Sequence, residues 1–222
     1  MWCLSAPLRT RSPRVWCSIQ PAEPSIGPRP ATLARADALL ASHGISAPVA
    51  SAISRTVGFA PGAAYGHAKR WPPQLVAQTI VRLSREAGAR CVLFGAGGDR
   101  DSGREIESSL PSDVRIVNLI GRTDLRLLVG AISRCAAFVS NDSGAMHLAG
   151  AVGTPLAALF GPTREKETAP LMRHGGRSEV LINHVWCRPC MLRECPFEHQ
   201  CMTGLKPERV FESVRVLMGT PS

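Results

Sequence analysis

The sequence predicts an α/β fold, a Rossmann-like parallel sheet flanked by helices. Three observations carry that reading. From Thr56 onward, short apolar runs alternate with segments of helical period. The apolar runs are nearly continuous, the pattern of strands buried on both faces. The stretches richest in Gly, Lys, Asp and His each follow such a run, and open parallel sheets bind ligands beyond the carboxyl ends of their strands.

Each element has its own signal. Residues 1–30 hold six prolines and no period, and read as an irregular tail. "ATLARADALLASHGI" (31–45) places Leu33, Ala36, Leu39 and Leu40 on one helical face and stops at Gly44. It reads as a helix within a linker region, 31–55. The main domain spans 56–222. "TVGFA" is its first strand. "PPQLVAQTIVRLSREAG" is a helix with proline in its first turn and Gly88 as its stop. "ARCVLFG" is a strand, "GREIESSL" a helix, "VRIVNLI" a strand, and "TDLRLLVGAISRC" a helix with Thr123 as N-cap. "AAFVS" is a strand, "SGAMHLAGAVG" a helix, "PLAALFG" a strand and "KPERVFESVRVLM" the last helix.

Composition narrows the function classes. The 222 residues carry a net charge of +9, and only Lys69, Lys166 and Lys206 are lysines. Eight basic and two acidic residues up to position 70 account for +6 of that charge. This favours anionic partners, or reflects an arginine-rich background. No apolar run reaches the roughly 18 residues of a membrane helix. The start has arginines but no apolar core of a secretory signal. Cys91 and Cys135 lie in apolar contexts and read as reduced core thiols.

The loops carry the chemistry. In "FVSNDSGAMHL", Asp142 or Ser143 can cap a helix and leave backbone N–H groups near Gly144 for an anion. His147 follows one turn later; an ordinary cap with a surface histidine is the alternative. In "PGAAYGHAKRWPP", Gly62, Ala63 and Ala64 expose backbone and Lys69 supplies a cation, or Lys69 and Arg70 are a solvated basic pair. Neither loop is a Walker A sequence, and Asn141 and Ala145 stand where a nucleophile elbow around Ser143 needs glycines. "GAGGDR" (95–100) lacks the last glycine of a dinucleotide fingerprint, so Asp99 reads as a ligand for sugar or ribose hydroxyls, or as a plain turn acid. Cys187, Cys190, Cys195 and Cys201, with His199 among them, match a zinc site only in their first CxxC pair. Reduced thiols or a disulfide are the other readings. A basic zinc-containing nucleic-acid binder would need interleaved aromatics, and the chain has one Tyr, six Phe and four Trp.

The segments "FAPGAAYGHAKRWPP", "NLIGRTDL", "NDSGAMHLAGAVGTPLAALFGPT", "TAP" and "CRPCMLRECPFEHQCM", taken in order over residues 56–218, resemble the lipopolysaccharide heptosyltransferases of glycosyltransferase family 9, heptosyltransferase II group. The resemblance implies the C-terminal half of a two-domain GT-B enzyme. It also implies an ADP-L-glycero-β-D-manno-heptose donor, a lipopolysaccharide inner-core acceptor and no cofactor or metal. An N-terminal acceptor domain carrying the general base is expected to be mostly missing from these 222 residues, which leaves an inactive nucleotide-binding fragment as an alternative. Carried over by motif, Lys69 and Asp142 are the catalytic candidates. Gly62, Ala63, Ala64, Lys69, Asp99, Thr123, Leu125, Asp142, Ser143, Gly144 and His147 are the donor-binding ones. Some relatives have threonines in place of Ala63 and Ala64. A cytoplasmic enzyme touching the inner membrane, with no nucleic-acid partner, is the expected setting.

Overall fold

A computed structural model describes residues 24–45, 55–64 and 66–219. The tail before Pro24, residues 46–54 of the linker region, Tyr65 and the last three residues lie outside the described residues.

The chain opens with helix α1 (Pro30–Ser42), which starts on proline at its first turn, where no intrahelical N–H is needed. Strand β1 (Thr56–Ala60) leads through a loop with a 3₁₀ turn (His67–Lys69) to α2 (Pro73–Ala87). Gly88 ends α2 in the left-handed conformation. There follow β2 (Arg90–Leu93), α3 (Arg100–Ser108), β3 (Ile116–Asn118), α4 (Leu125–Ile132), β4 (Ala137–Asn141), α5 (Gly144–Val152) and β5 (Leu156–Phe160). A short α6 (Glu165–Thr168), β6 (Ser178–Ile182), a short α7 (Gln200–Thr203) and α8 (Pro207–Leu217) complete it.

The six strands form one sheet in the order β3-β2-β1-β4-β5-β6, every pair parallel. This is the doubly wound order whose direction of winding reverses between β1 and β4. Alternate strand residues serve two cores. Val57, Phe59, Leu93, Val139 and Leu159 pack under α2, α3 and α8. Ala60, Phe94, Phe138, Leu156 and Phe160 pack under α1, α4 and α5. That division explains the unbroken apolar runs: both faces are covered, so neither parity is free to be polar. Gly58 is needed because the Phe138 ring fills the space its Cβ would take.

Helix α1 belongs to the second core. Ala36 and Leu40 are buried, Arg134 holds Asp37 through two bonds of 2.7 Å, and Gly130 of α4 lets Thr32 and Ala36 approach closely. Two expectations change. The N-cap of α4 is Asp124, not Thr123: the Asp124 carboxylate accepts the Leu127 N–H at 2.7 Å. The sixth strand was not expected. Ser178 and Glu179 of β6 are exposed at the sheet edge, so the segment lacks the apolar run that marks the inner strands.

Candidate functional site at the sheet switch point

The loops after β1 and β4 leave the sheet side by side, since Ala60 and Ser140 are register partners. They meet through Asn141. Its Nδ2 donates to Pro61 O at 2.7 Å, and its Oδ1 accepts the Trp71 N–H at 3.3 Å. Lys69 then reaches across to Asp142, Nζ to Oδ2 at 2.7 Å, with only 14% and 6% of the two side chains exposed. A pair so sheltered from water is strongly oriented, and removing one member strands the other's charge.

This pairing changes the reading of the turn. Asp142 is committed to Lys69, and the Ser143 hydroxyl lies 3.1 Å from that of Ser140. No side chain among the described residues caps α5. The first N–H groups of the helix therefore open onto the space above Gly144, the arrangement that attracts an anion. A Cβ at Gly144 would meet nothing within 4 Å. Gly62 has a different reason to be glycine. The Asp99 carboxylate occupies the place of its Cβ. Asp99 is held there by the Ala96 N–H at 3.0 Å, with Arg70 at 3.7 Å.

A cleft of about 370 Å³ lies between these loops. Gly62, Ala63, Ala64, Asp99, Thr123, Leu125, Ser143 and Gly144, drawn from four separate segments, all line it. Leu125 stands 65% exposed at its rim, beside Leu128 and Leu148. The lining is mostly apolar with a few polar groups, Asp99, Thr123 and Ser143, which suits a flat ring joined to a polar group. Lys69 and Asp142 sit beside the cleft rather than in its lining. His147 is not brought into it. It is exposed on another flank of α5 and lines a neighbouring hollow of about 440 Å³ with Lys166 and Thr168. A larger hollow of about 570 Å³ runs along the β3 edge and shares no residue with the cleft.

The cysteine segment reaches the same end of the sheet. The Ala68 N–H donates to Arg193 O at 3.0 Å, and the Arg193 backbone fills the Cβ position of Gly66, whose φ is +83°. Met191 N–H donates to Pro162 O at 3.0 Å. Arg188, 6% exposed in its side chain, donates to Gly161 O, Thr163 O and Glu165. The segment thus straps the loop after β1 to the loop after β5. Its cysteines are free thiols; burial pushes the Cys201 thiol up, and the other three cysteines add to that shift. Among the described residues, no three His, Cys, Asp or Glu side chains gather as metal ligands. Burial also holds Cys91 and Cys135 protonated, Cys135 being pushed up to about 12.

Sequence reasoning missed two residues here. Asn141 was read only as part of a turn; the available signal was an amide ending an otherwise apolar strand, which must find partners if buried. A solvated Lys69–Arg70 pair, one of the two sequence readings, does not fit Arg70, whose Nε is buried and has no partner among the described residues.

Strand order, with an open cleft at the β1/β4 switch and an uncapped helix above it, defines a doubly wound α/β domain. More particularly, the chain belongs to glycosyltransferase family 9, the heptosyltransferases, whose family model matches residues 27–201. It is 38% identical over 167 residues to lipooligosaccharide heptosyltransferase 2 of Haemophilus influenzae, covering 73% of this chain and 47% of that protein. It is 37% identical over 164 residues to lipopolysaccharide heptosyltransferase 2 of Escherichia coli, covering 73% and 46%. The solved structure of the E. coli ADP-heptose LPS heptosyltransferase II superposes with a TM-score of 0.70 at 31% identity, covering 88% of this chain and 53% of that one. The chain spans about half the length of the curated relatives it matches.

Proposed function

We propose that this chain is the donor-binding, C-terminal half of an inverting GT-B heptosyltransferase. Its donor is ADP-L-glycero-β-D-manno-heptose and its acceptor the inner core of lipopolysaccharide. The observation that carries the reading is the cleft at the β1/β4 switch, where eight of the donor-binding candidates converge. The names of the relatives supply the sugar and the acceptor class.

In this reading the adenine lies against Leu125 and Thr123, the ribose hydroxyls face Asp99, and the diphosphate lies over Gly144 and the α5 N-terminus. An acceptor hydroxyl attacks the anomeric carbon, the bond from that carbon to the diphosphate oxygen breaks, and ADP leaves. The hydroxyl proton goes to a base in the half this chain does not span. Lys69 and the helix N–H groups stabilise the charge growing on the diphosphate. Contacts of this preorganised kind are each worth about 2.7–4 kcal/mol in the transition state. Asp142 orients Lys69, while His147, in the neighbouring hollow, has no part in holding the nucleotide. The scheme calls for no cofactor or metal. A cytoplasmic setting with peripheral contact at the inner membrane fits a basic chain and a lipid-anchored acceptor. No helix among the described residues is long and apolar enough to cross a membrane.

Calorimetry with ADP tests the reading. The parent chain is expected to bind, and Lys69→Ala to bind at least about tenfold more weakly, a loss of roughly 1.4 kcal/mol. Because Lys69→Ala leaves the Asp142 carboxylate stranded, the same titration is run on Lys69→Ala with Asp142→Asn. Parent-like affinity in both would remove Lys69 from the site. No ADP binding by the parent would sink the donor reading.

A further inference from the structure

We propose that Asn141 is a positioning residue of the donor site: its buried carboxamide sets the place of the 61–71 loop, and through it of Lys69, above the α5 N-terminus. The proposal rests on the donor-binding reading above. Asn141 ends β4 and is 1% exposed. One face of its amide donates to Pro61 O, where the loop leaves β1, and the carbonyl side accepts the N–H of Trp71, where the loop ends. A single side chain therefore closes the two ends of the loop on each other. Trp71 is itself fixed, with 1% of its surface exposed and its indole N–H bonded to Leu205 O at 3.0 Å. Between those pins lie Gly62, Ala63, Ala64 and Lys69. The next residue, Asp142, takes the Lys69 ammonium at 2.7 Å. Two adjacent residues of β4 and its turn thus hold the loop at its start, its end and its functional cation.

The residue type follows from this task. The position needs a donor toward Pro61 and an acceptor toward Trp71 on one short arm. An aspartate has no donor, a serine is too short to span both, and an apolar residue would leave a buried carbonyl and a buried N–H unpaired. The rest of β4 is apolar or small, so the amide is the one side chain of this strand that reaches both ends of the loop. Placement of the loop matters because groups that act together at a reacting centre lose roughly 10²-fold in rate when displaced by about 1 Å.

The test titrates ADP into the 222-residue parent, Asn141→Leu, Asn141→Ala, Lys69→Ala and the Lys69→Ala/Asn141→Leu double variant. Amide hydrogen exchange is followed over residues 66–71 and over the strands. Asn141→Leu is expected to weaken ADP binding ten- to a hundredfold and to speed exchange in the loop while β1 and β5 keep their protection. In the Lys69→Ala background, the same substitution should cost clearly less ADP affinity than in the parent, because part of its effect runs through Lys69. Parent-like affinity in a folded Asn141 variant overturns the proposal. So does an undiminished loss in the double variant. Failure of both the Leu and the Ala variant to fold makes the residue structural and likewise overturns it. If the parent itself binds no ADP, the donor reading fails instead; loop exchange then decides the positioning claim on its own, unchanged exchange overturning it.

Discussion

Gly62 and Gly144 look alike in the sequence, each a glycine just past a strand among small residues. They are glycine for opposite reasons. At Gly62 the missing Cβ is filled by the Asp99 carboxylate of this same chain. At Gly144 it is filled by nothing within 4 Å. Substitution separates them. Gly62→Ala must expel Asp99 from its bonds with Ala96 and Arg70, and should cost about 1–3 kcal/mol of stability, as overpacking does. Gly144→Ala sits in the first turn of α5, where alanine is the better helix former by up to about 1 kcal/mol. It should leave the melting temperature unchanged or raised. Both should weaken ADP binding by about tenfold or more, one through Asp99 and one by placing a methyl group where the diphosphate approaches. Thermal melts beside calorimetry check this; a Gly144→Ala chain with parent affinity would show that nothing comes close to that turn. Residue types and spacing made the candidates legible in both loops. What they did not reveal was which contacts the protein keeps for itself: the Lys69–Asp142 pair, Asp99 under Gly62 and Asn141 between the loops all join positions at least 37 residues apart. No local pattern encodes such partners.

The strap formed by the cysteine segment shows the same limit for whole elements. Its spacing raised a metal or disulfide question, whereas its visible work in the fold is to join the loops after β1 and β5. Arg188 is the peg, since it alone serves two backbone carbonyls and a carboxylate. Arg188→Ala leaves those carbonyls without their donor in a sheltered place, and should cost about 1–3 kcal/mol. It should also free the segment locally: Cys187 and Cys190, half-buried in the parent, should react faster with a thiol reagent, while Cys91 and Cys135 stay inert. Equal labelling rates in parent and variant would mean that Arg188 does not anchor the segment. The Glu165 carboxyl is held below its usual range by its own backbone N–H and then by Arg188. The contribution of that pair is therefore complete above the ordinary glutamate range and is lost as pH falls below it. Elements with a strong period or a flanking Gly or Pro, such as α2 and α8, were legible almost to the residue. The misses came where the signal is intrinsically weak. β6 is a half-exposed edge strand, and at the start of α4 Thr123 and Asp124 are both good caps, so only the bond to Leu127 distinguishes them.

At the scale of the molecule, the doubly wound strand order explains why residues as distant as Gly62 and Leu148 share one cleft: reversal of the winding between β1 and β4 parts the loops there and leaves a gap. On the proposed reading the gap supplies one substrate's site, while group transfer needs two. Holding donor and acceptor in line contributes on the order of 7–11 kcal/mol of barrier reduction in favourable cases, and a positioned base about 10²–10⁴-fold more. These 222 residues match about half the length of their relatives, and the carboxylates near the cleft are engaged, Asp142 by Lys69 and Asp99 by Ala96 and Arg70. Neither is free to take a proton from an acceptor hydroxyl without giving up a contact that shapes the site. The purified 222-residue chain is therefore expected to bind ADP yet to transfer no radiolabelled heptose to a lipopolysaccharide acceptor above background. Fusing the N-terminal half of a relative in front of it should restore measurable transfer. That gain should fall by about 10²–10³-fold with Lys69→Ala, because in the fusion Lys69 supplies part of the charge stabilisation. Robust transfer by the 222 residues alone would place an acceptor site and a base within them. A fusion that binds both substrates and remains inert would instead show that this cleft holds a nucleotide without performing the reaction.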